Sequence, residues 1–473
     1  MDYFIKGHSF ADDIISILQL FYPNGTYVRV EEVSENCVIS SVFENKIYTA
    51  LILEGQKINS AESPLPEDKA ELKKQLKLSL FNLLMGHYKI PPPWGALTGV
   101  RPAKLVTKLK CENHSKEEIR KILKEEYFVR DDKIKLCMNV SAHEERLLKG
   151  SNPDSVGLYI GIPFCPTRCL YCSFTSYPLD KYKGKIDRYL DCLEKEMEFC
   201  GRNLKNTPIE SIYIGGGTPT SLDENRLERL LTAVERNFEK PLEFTVEAGR
   251  PDTITKEKLE ILKNHNIDRI SINPQTLNDK TLKLIGREHK TEDFYRAFDM
   301  ARAAGIGHIN CDIILGLPGE DEEDVINTFE GIKKLSPESL TVHTLAVKRA
   351  SRLKETLESY NLADFHLMDR LLSLSAKYTA EMGLSPYYMY RQKNMVGNFE
   401  NVSYCKPGHE CIYNIQIMEE TQTIIAMGCG GSTKTVDREQ NRIERIFNVK
   451  SVDDYITRID EMIDRKKKGL SWK

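Results

Sequence analysis

Residues 156–177, VGLYIGIPFCPTRCLYCSFTSY, decide how the rest of the chain is read. Cys165, Cys169 and Cys172 stand in a C-x3-C-x2-C spacing. Cysteine thiolates are the usual ligands of iron–sulfur clusters. Three from one short loop can hold three irons of a cubane and leave the fourth open to a small molecule. A structural zinc site wants four protein ligands, and no histidine lies close in sequence to complete one. A disulfide would leave one cysteine over. By spacing alone, three unrelated buried cysteines remain the bland alternative. Ahead of them the apolar run Val156 to Ile162 reads as a buried strand that Pro163 ends. The cysteine loop therefore leaves the C-terminal end of a strand, where barrel-type α/β proteins carry their chemistry. Tyr171 adds an aromatic wall beside it.

Outward from this loop, strands and helices alternate. Strands are predicted at 156–162, 211–215, 243–248, 269–273, 308–315 and 339–346. Helices are predicted at 180–201, 223–236, 255–264, 279–285 with 291–304, 321–334, and one after 363. Six β/α units imply parallel strands with right-handed crossovers. The expected fold is α/β: a partial (β/α)6 TIM-like barrel over 151–350, too short to close at eight strands, its lateral gap suited to a large substrate. A small N-terminal α+β domain (1–150) and a C-terminal, substrate-covering α+β region (351–473) flank it.

Polar motifs fall at the predicted strand ends. Gly215-Gly216-Gly217-Thr218-Pro-Thr220 follows the second strand and exposes backbone N–H and C=O groups suited to a zwitterionic amino acid. Glu247 ends the third strand and Gln275 closes Ser-Ile-Asn-Pro-Gln after the fourth. Arg287 follows in Gly-Arg-Glu-His, and Asp312 lies on the fifth strand before Gly-Leu-Pro-Gly319. Ile314, Leu315 and Leu317 could bracket an adenine ring. Each polar residue alone reads as a satisfied rim residue, but four on successive strand ends share one face.

Together, Tyr159-Ile-x-Ile-Pro-Phe-Cys165, the cysteine loop, Gly-Gly-Gly-Thr-Pro, Gln275, Gly-Arg-x-His and Asp312 resemble the radical S-adenosylmethionine (SAM) family. Within it they resemble the oxygen-independent coproporphyrinogen III oxidase (dehydrogenase) group, most of all its HemZ-type branch. The resemblance implies a [4Fe–4S] cluster on Cys165, Cys169 and Cys172, and a barrel of the radical SAM type. It implies SAM contacts from Tyr159, Tyr171, Gly216, Gly217, Thr218, Glu247, Gln275, Arg287, Asp312 and, at the sixth strand's end, Thr344. It implies a 5′-deoxyadenosyl radical that initiates decarboxylation of propionates on a tetrapyrrole. A reducing partner such as flavodoxin or ferredoxin would supply the electron. The best-studied dehydrogenases carry a fourth cysteine two residues past the third; Phe174 stands there, as in haem-chaperone relatives. A haem-binding delivery protein, or another radical SAM enzyme modifying tetrapyrroles, is the alternative.

The flanks are less specific. In the N-terminal region a helix is expected over Asp12–Phe21, strands over Tyr27–Val33 and Cys37–Leu53, a helix over Pro66–Leu84, and two charged helices over 116–149. The segment Ile90-Pro-Pro-Pro-Trp94 to Pro102 reads either as a rigid linker pinned by a core Trp or as a lid placing Arg101 near an anionic ligand. Cys37, Cys111 and Cys137 read as packing residues. Near the C-terminus a helix is expected over Leu362–Met382. An aromatic strand over Tyr387–Asn394 offers faces and cations to a tetrapyrrole, or is simply amphipathic. Residues 424–435 read as a Gly-rich turn over the adenosyl end. Cys405, His409, Cys411 and Cys429 read as free thiols with a histidine rather than a second metal site, and Arg465–Lys468 as a solvated helix end. A net charge of −3 gives no basic excess for nucleic acid, and the absence of a long apolar run or a signal-like N-terminus points to the cytoplasm and away from membranes. Oligomeric state is not legible.

Overall fold

The computed structural model describes residues 1–473 except 24, 90, 175, 349, 357–359, 361, 393–397, 439, 441 and 471–473. The chain forms two compact units. One comprises Met1–Ser141 with Arg391–Glu400, the other Ala142–Tyr390 with Asn401–Lys473.

The first unit holds strands β1 (Asp2–Lys6), β2 (Val28–Val30), β3 (Cys37–Phe43), β4 (Lys46–Leu53) and β5 (Gln56–Pro64), in the order β2-β1-β3-β4-β5. Helices Ala11–Phe21 and Lys69–Tyr88 bury Ile14, Ile17, Leu18, Leu80, Phe81 and Leu84 against Val38 and Leu51. The expected strand over Cys37–Leu53 is two strands, reversed at Glu44 and Asn45. Both carry positive φ (48° and 58°), the handedness a two-residue hairpin turn needs. Trp94 is buried: its Nε1 donates to Glu400 (2.7 Å), and the Arg391 guanidinium lies 5.6 Å over its ring. Lys133 Nζ also donates to Glu400 (2.5 Å). The Pro-rich segment is thus pinned by its tryptophan, as the linker reading expects; its first residue, Ile90, lies outside the described residues. Cys37 and Cys137 are buried packing residues, but Cys111 is exposed at the end of helix Ala103–Cys111.

The second unit carries β6 (Val156–Ile162), the short parallel pair β7 (Phe164–Cys165) and β8 (Tyr177–Pro178), then β9 (Ile209–Gly216), β10 (Glu243–Glu247), β11 (Arg269–Ser271), β12 (His308–Leu315) and β13 (Ser339–Thr344). Strands β6-β9-β10-β11-β12-β13 lie side by side in that order, every neighbouring pair parallel. This is the expected run of six β/α units. The strands are largely buried, and several of the crossover helices open on side-chain caps. Asp223 caps Glu224–Asn237, Thr255 caps Lys256–Asn264 and Asp321 caps Glu322–Leu335.

Among the described residues the sheet continues past both ends of this run to eleven strands. Beyond β13 come antiparallel β15 (Asn401–Cys405) and β14 (Ser385–Tyr390). Beyond β6 comes β16 (Thr423–Met427), parallel to it, then the antiparallel pair β17 (Ser432–Asp437) and β18 (Arg442–Phe447). The Gly-rich turn expected over 424–435 is therefore shorter. Ile424-Ile-Ala-Met427 is apolar enough to join the sheet, and the turn proper is 428–431. The aromatic strand ends at Tyr390, with Lys393 and Asn394 outside the described residues. Tyr387 and Tyr388 are buried among Cys405, Cys411, Tyr413 and Ile415, so these faces serve the core.

The tail departs from the expected solvated helix end at one residue, since Lys467 and Lys468 are exposed but Lys466 is not. Lys466, on helix Ile459–Gly469, is wholly buried and pairs with wholly buried Glu196 (2.6 Å). Glu196 also accepts from Gly428 N–H, Asn448 Nδ2 and the Tyr455 hydroxyl, tying this helix and the 428–431 turn to helix Ile186–Asn203. Among the described residues no helix is long and apolar enough to cross a membrane.

Candidate functional site

The cysteine loop is braced from three directions. Strands β7 and β8 close its ends, with Tyr177 N–H donating to Pro163 O (2.8 Å). Leu170 N–H donates to Ile285 O and accepts, through its carbonyl, from Leu353 N–H (both 2.9 Å). The Thr167 hydroxyl donates to Gly286 O and accepts from Arg250 Nη1 (both 3.0 Å). Cys169 is buried; Cys165 and Cys172 are half-buried. Burial pushes the Cys165 thiol up to about 11 against the pull of the Thr218 hydroxyl, and the neighbouring Cys172 and Cys169 thiols raise it further. Burial likewise pushes Cys172 up. Each of these thiols lies within electrostatic reach of another, in a site where burial favours the neutral thiol. Among the described residues no three His, Cys, Asp or Glu side chains converge on a single ion. Three thiols from one loop fit the thiolate ligation of an iron–sulfur cluster, in which each thiolate takes its own iron.

The end of β9 is stitched to this loop. Gly217 N–H donates to Ile162 O (2.8 Å) and Thr218 N–H to Phe164 O (2.7 Å). The Thr218 hydroxyl lies 3.5 Å from Cys165 Sγ. Glu247 accepts from Gly216 N–H. Of the N–H and C=O groups expected to meet a ligand, the Gly217 and Thr218 amides are spent on the protein, which leaves carbonyl oxygens for an ammonium group. Glycine is required here by contact. A Cβ on Gly217 would lie 2.5 Å from Phe164 O, and one on Gly216 (φ +108°) 3.0 Å from the Tyr159 hydroxyl. Tyr159 stands in a stack with Tyr213 and Tyr413, and Tyr213 donates its hydroxyl to Glu247 (2.6 Å). Burial raises the Glu247 carboxyl to about 7; the Tyr213 bond pulls down and Asp312 pushes up.

The remaining strand ends meet through Asn273. Its carbonyl accepts from Arg287 Nη1 (2.5 Å) and its side-chain oxygen from Asp312 N–H (3.1 Å). Asp312 is acidified overall. Burial opposes ionisation, but His343, Asn310 and Thr341 hold the carboxyl below its ordinary range. Gln275 sits at φ +66°, bridged to β12, and its Oε1 is buried with no partner. Arg287 Nε is likewise buried and unpartnered, while burial and the Tyr171 hydroxyl act on the same guanidinium. Buried orphan polar atoms on Gln275, past β11, and on Arg287, past the helix Asp279–Leu284, suit a bound polar ligand. Thr344 is buried at the end of β13, and its N–H donates to Asn401 Oδ1 (2.7 Å). Ile314 and Leu317 pack with Leu170 of the cysteine loop.

Several participants escape sequence reading. Arg250 is buried, holds Asp252 through two bonds (2.9 and 2.8 Å) and braces Thr167. Its one sequence signal is its place three residues past Glu247. Asn273, Tyr213 and His343 carry no motif of their own. Cys411 donates to Glu243 (3.3 Å) and Cys429 to Lys450 O (3.2 Å), each in its own setting.

The model of the radical SAM superfamily matches residues 159–332. The chain belongs to this superfamily, in its haem-related branch of oxygen-independent coproporphyrinogen-III oxidase-like proteins. It is 42% identical over 407 residues to the oxygen-independent coproporphyrinogen-III oxidase-like protein HemZ of Bacillus subtilis (strain 168), spanning 85% of this chain and 81% of that one. It is 33% identical over 291 residues to the heme chaperone HemW of the same organism, spanning 59% of this chain and 72% of HemW. Among solved structures, the coproporphyrinogen III oxidase HemN of Escherichia coli, a radical SAM enzyme, shares the fold. Its TM-score is 0.54 at 20% identity, over 68% of this chain and 73% of HemN. The family uses a [4Fe–4S] cluster and SAM, and the cysteine loop and glycine cradle fit both.

Proposed function

We propose that the protein decarboxylates propionate side chains of coproporphyrinogen III to vinyl groups without oxygen, yielding protoporphyrinogen IX for haem biosynthesis. Cys165, Cys169 and Cys172 would hold the cluster. The Gly216-Gly217-Thr218 turn, Glu247, Gln275, Arg287 and Asp312 would hold SAM, with Tyr159, Tyr171 and Thr344 at its edges. Arg287, whose Nε has no protein partner, is suited to a carboxylate, and the carbonyl-rich turn to an ammonium. When bound, cluster and SAM would supply the radical chemistry, and a propionate that becomes a vinyl group would give up one hydrogen atom, carbon dioxide and, to a carrier-type acceptor, one electron. The protein's part is to exclude water and align the propionate. Flavodoxin or ferredoxin would supply the reducing electron.

The reading is carried by one observation: identity to HemZ extends through 85% of the chain, well past the 159–332 core. Anaerobic incubation with SAM, reductant and coproporphyrinogen III tests it. Protoporphyrinogen and 5′-deoxyadenosine in step are expected; SAM cleavage without a vinyl product rejects the substrate. A second reading, a haem-binding delivery protein, draws support from Phe174 in place of the fourth cysteine and from the likeness to HemW. Tight haem binding without turnover would favour it.

A further inference from the structure

Buried and half-buried cations in the second unit have evident partners. Arg250 holds Asp252, Lys466 holds Glu196, Arg269 faces Glu243, and Lys258 donates to the carbonyls of Thr220 and Thr253. Lys348 differs. It is half-buried, four residues past the end of β13, and no carboxylate pairs with its ammonium among the described residues. Instead its Nζ stands 5.9 Å above the centre of the Phe174 ring. Phe174 follows the cysteine loop and is 67% exposed, an unusual state for a large apolar ring held so near a reactive centre. Lys348 also lies within electrostatic reach of Cys172.

The pair is held in place. Arg168 of the cysteine loop donates to Ala350 O (2.7 Å), and Leu353 N–H to Leu170 O (2.9 Å). Ser351 donates to Lys348 O through both its N–H (3.0 Å) and its hydroxyl (2.7 Å). A partly desolvated ammonium with no anion beside it is costly unless a ligand brings one. A flat exposed ring alongside suits an aromatic ligand face. Both stand at the C-terminal ends of the strands, beside the cluster loop.

We propose that Lys348 and Phe174 form a subsite for a carboxylate-bearing pyrrole ring, the ammonium taking the carboxylate and the phenyl ring the pyrrole face. This rests on the tetrapyrrole reading and assigns the side chains that grip it.

Fluorescence titration of the cluster-loaded protein with coproporphyrin III tests it, with coproporphyrin tetramethyl ester as the uncharged probe. Lys348→Met should weaken coproporphyrin binding roughly ten- to a hundredfold, the worth of one hydrogen bond between charged groups. Lys348→Arg should restore most of it, and Phe174→Ala should weaken both probes. The ester should bind wild type and Lys348→Met alike. Iron content and SAM affinity by equilibrium dialysis should match wild type in each variant. If wild type takes up neither probe, the tetrapyrrole reading falls and takes the subsite with it. If wild type binds but Lys348→Met binds coproporphyrin equally well, or loses SAM instead, the subsite alone is overturned.

Discussion

Replacing Lys466 by Met removes an ammonium that solvent does not reach. Its Nζ lies 2.6 Å from Glu196 Oε1 and 2.9 Å from Asn448 Oδ1. Methionine preserves most of the stem's volume, so packing changes little and the counter-charge is what disappears. Glu196 would then rest on three neutral donors: Gly428 N–H (2.8 Å), Asn448 Nδ2 (2.8 Å) and the Tyr455 hydroxyl (2.5 Å). Stranding one member of a buried pair costs about 3–5 kcal/mol. The three remaining bonds place the expected loss at the lower end, about 3 kcal/mol. Glu196→Gln in the same chain removes the stranded charge while keeping an acceptor, and should recover most of the loss, since replacing both partners is often near neutral. Urea unfolding followed by far-UV circular dichroism on both singles and the double gives the coupling directly. A single variant within about 1 kcal/mol of wild type, or a double as unstable as the two singles summed, refutes the argument.

Gly217→Ala should abolish SAM retention and lower iron content together, because the new Cβ meets Phe164 O at 2.5 Å and Ile162 O at 2.9 Å; paired iron assay and equilibrium dialysis read both, and normal values would contradict the close-approach argument. Burial raises the Glu320 carboxyl to about 7 against bonds from Thr276 and Thr281, so the folded state keeps a proton that the unfolded chain has lost. The stability margin of wild type over Glu320→Gln should therefore be full below about 4.5 and fade as pH rises through about 7; a margin independent of pH across unfolding midpoints would show the carboxyl is not protonated in the fold. Trp94→Phe removes one donor from Glu400 but leaves Lys133, so the first unit should lose about 1–2 kcal/mol in urea unfolding; no change would mean the indole bond is idle.

What could be read from sequence was local. Most barrel strands carry a short apolar run, and Cys165, Glu247, Gln275 and Asp312 lie on or within a few residues of the strand that positions them, whereas Arg287 follows the helix Asp279–Leu284. The places of the first four along the fold are therefore legible in the sequence. The misses share a different cause. Glu44 and Asn45 reverse the chain without the glycine that usually marks such a turn. Strand β5 is almost wholly exposed and polar, with no periodic apolar signal. Lys466 looked solvated because its partner is 270 positions away. Ile424 to Met427 joins β6 across most of the second unit's sequence. The glycine turn's sequence predicts free N–H and C=O groups alike, yet which of them remain free depends on the carbonyls of Ile162 and Phe164 across the sheet.

The placement of Arg391–Glu400 in the first unit has a consequence for synthesis. Trp94 and Glu400 are 306 positions apart, and Lys133 relies on the same carboxylate. As the nascent chain leaves the ribosome, the first 141 residues emerge without the piece that satisfies their buried indole and ammonium. Completion must wait until translation has passed residue 400, by which time all six β/α repeats have already emerged. The first unit is thus finished late, and a stalled or truncated product ending before that point would expose an incomplete core to proteolysis.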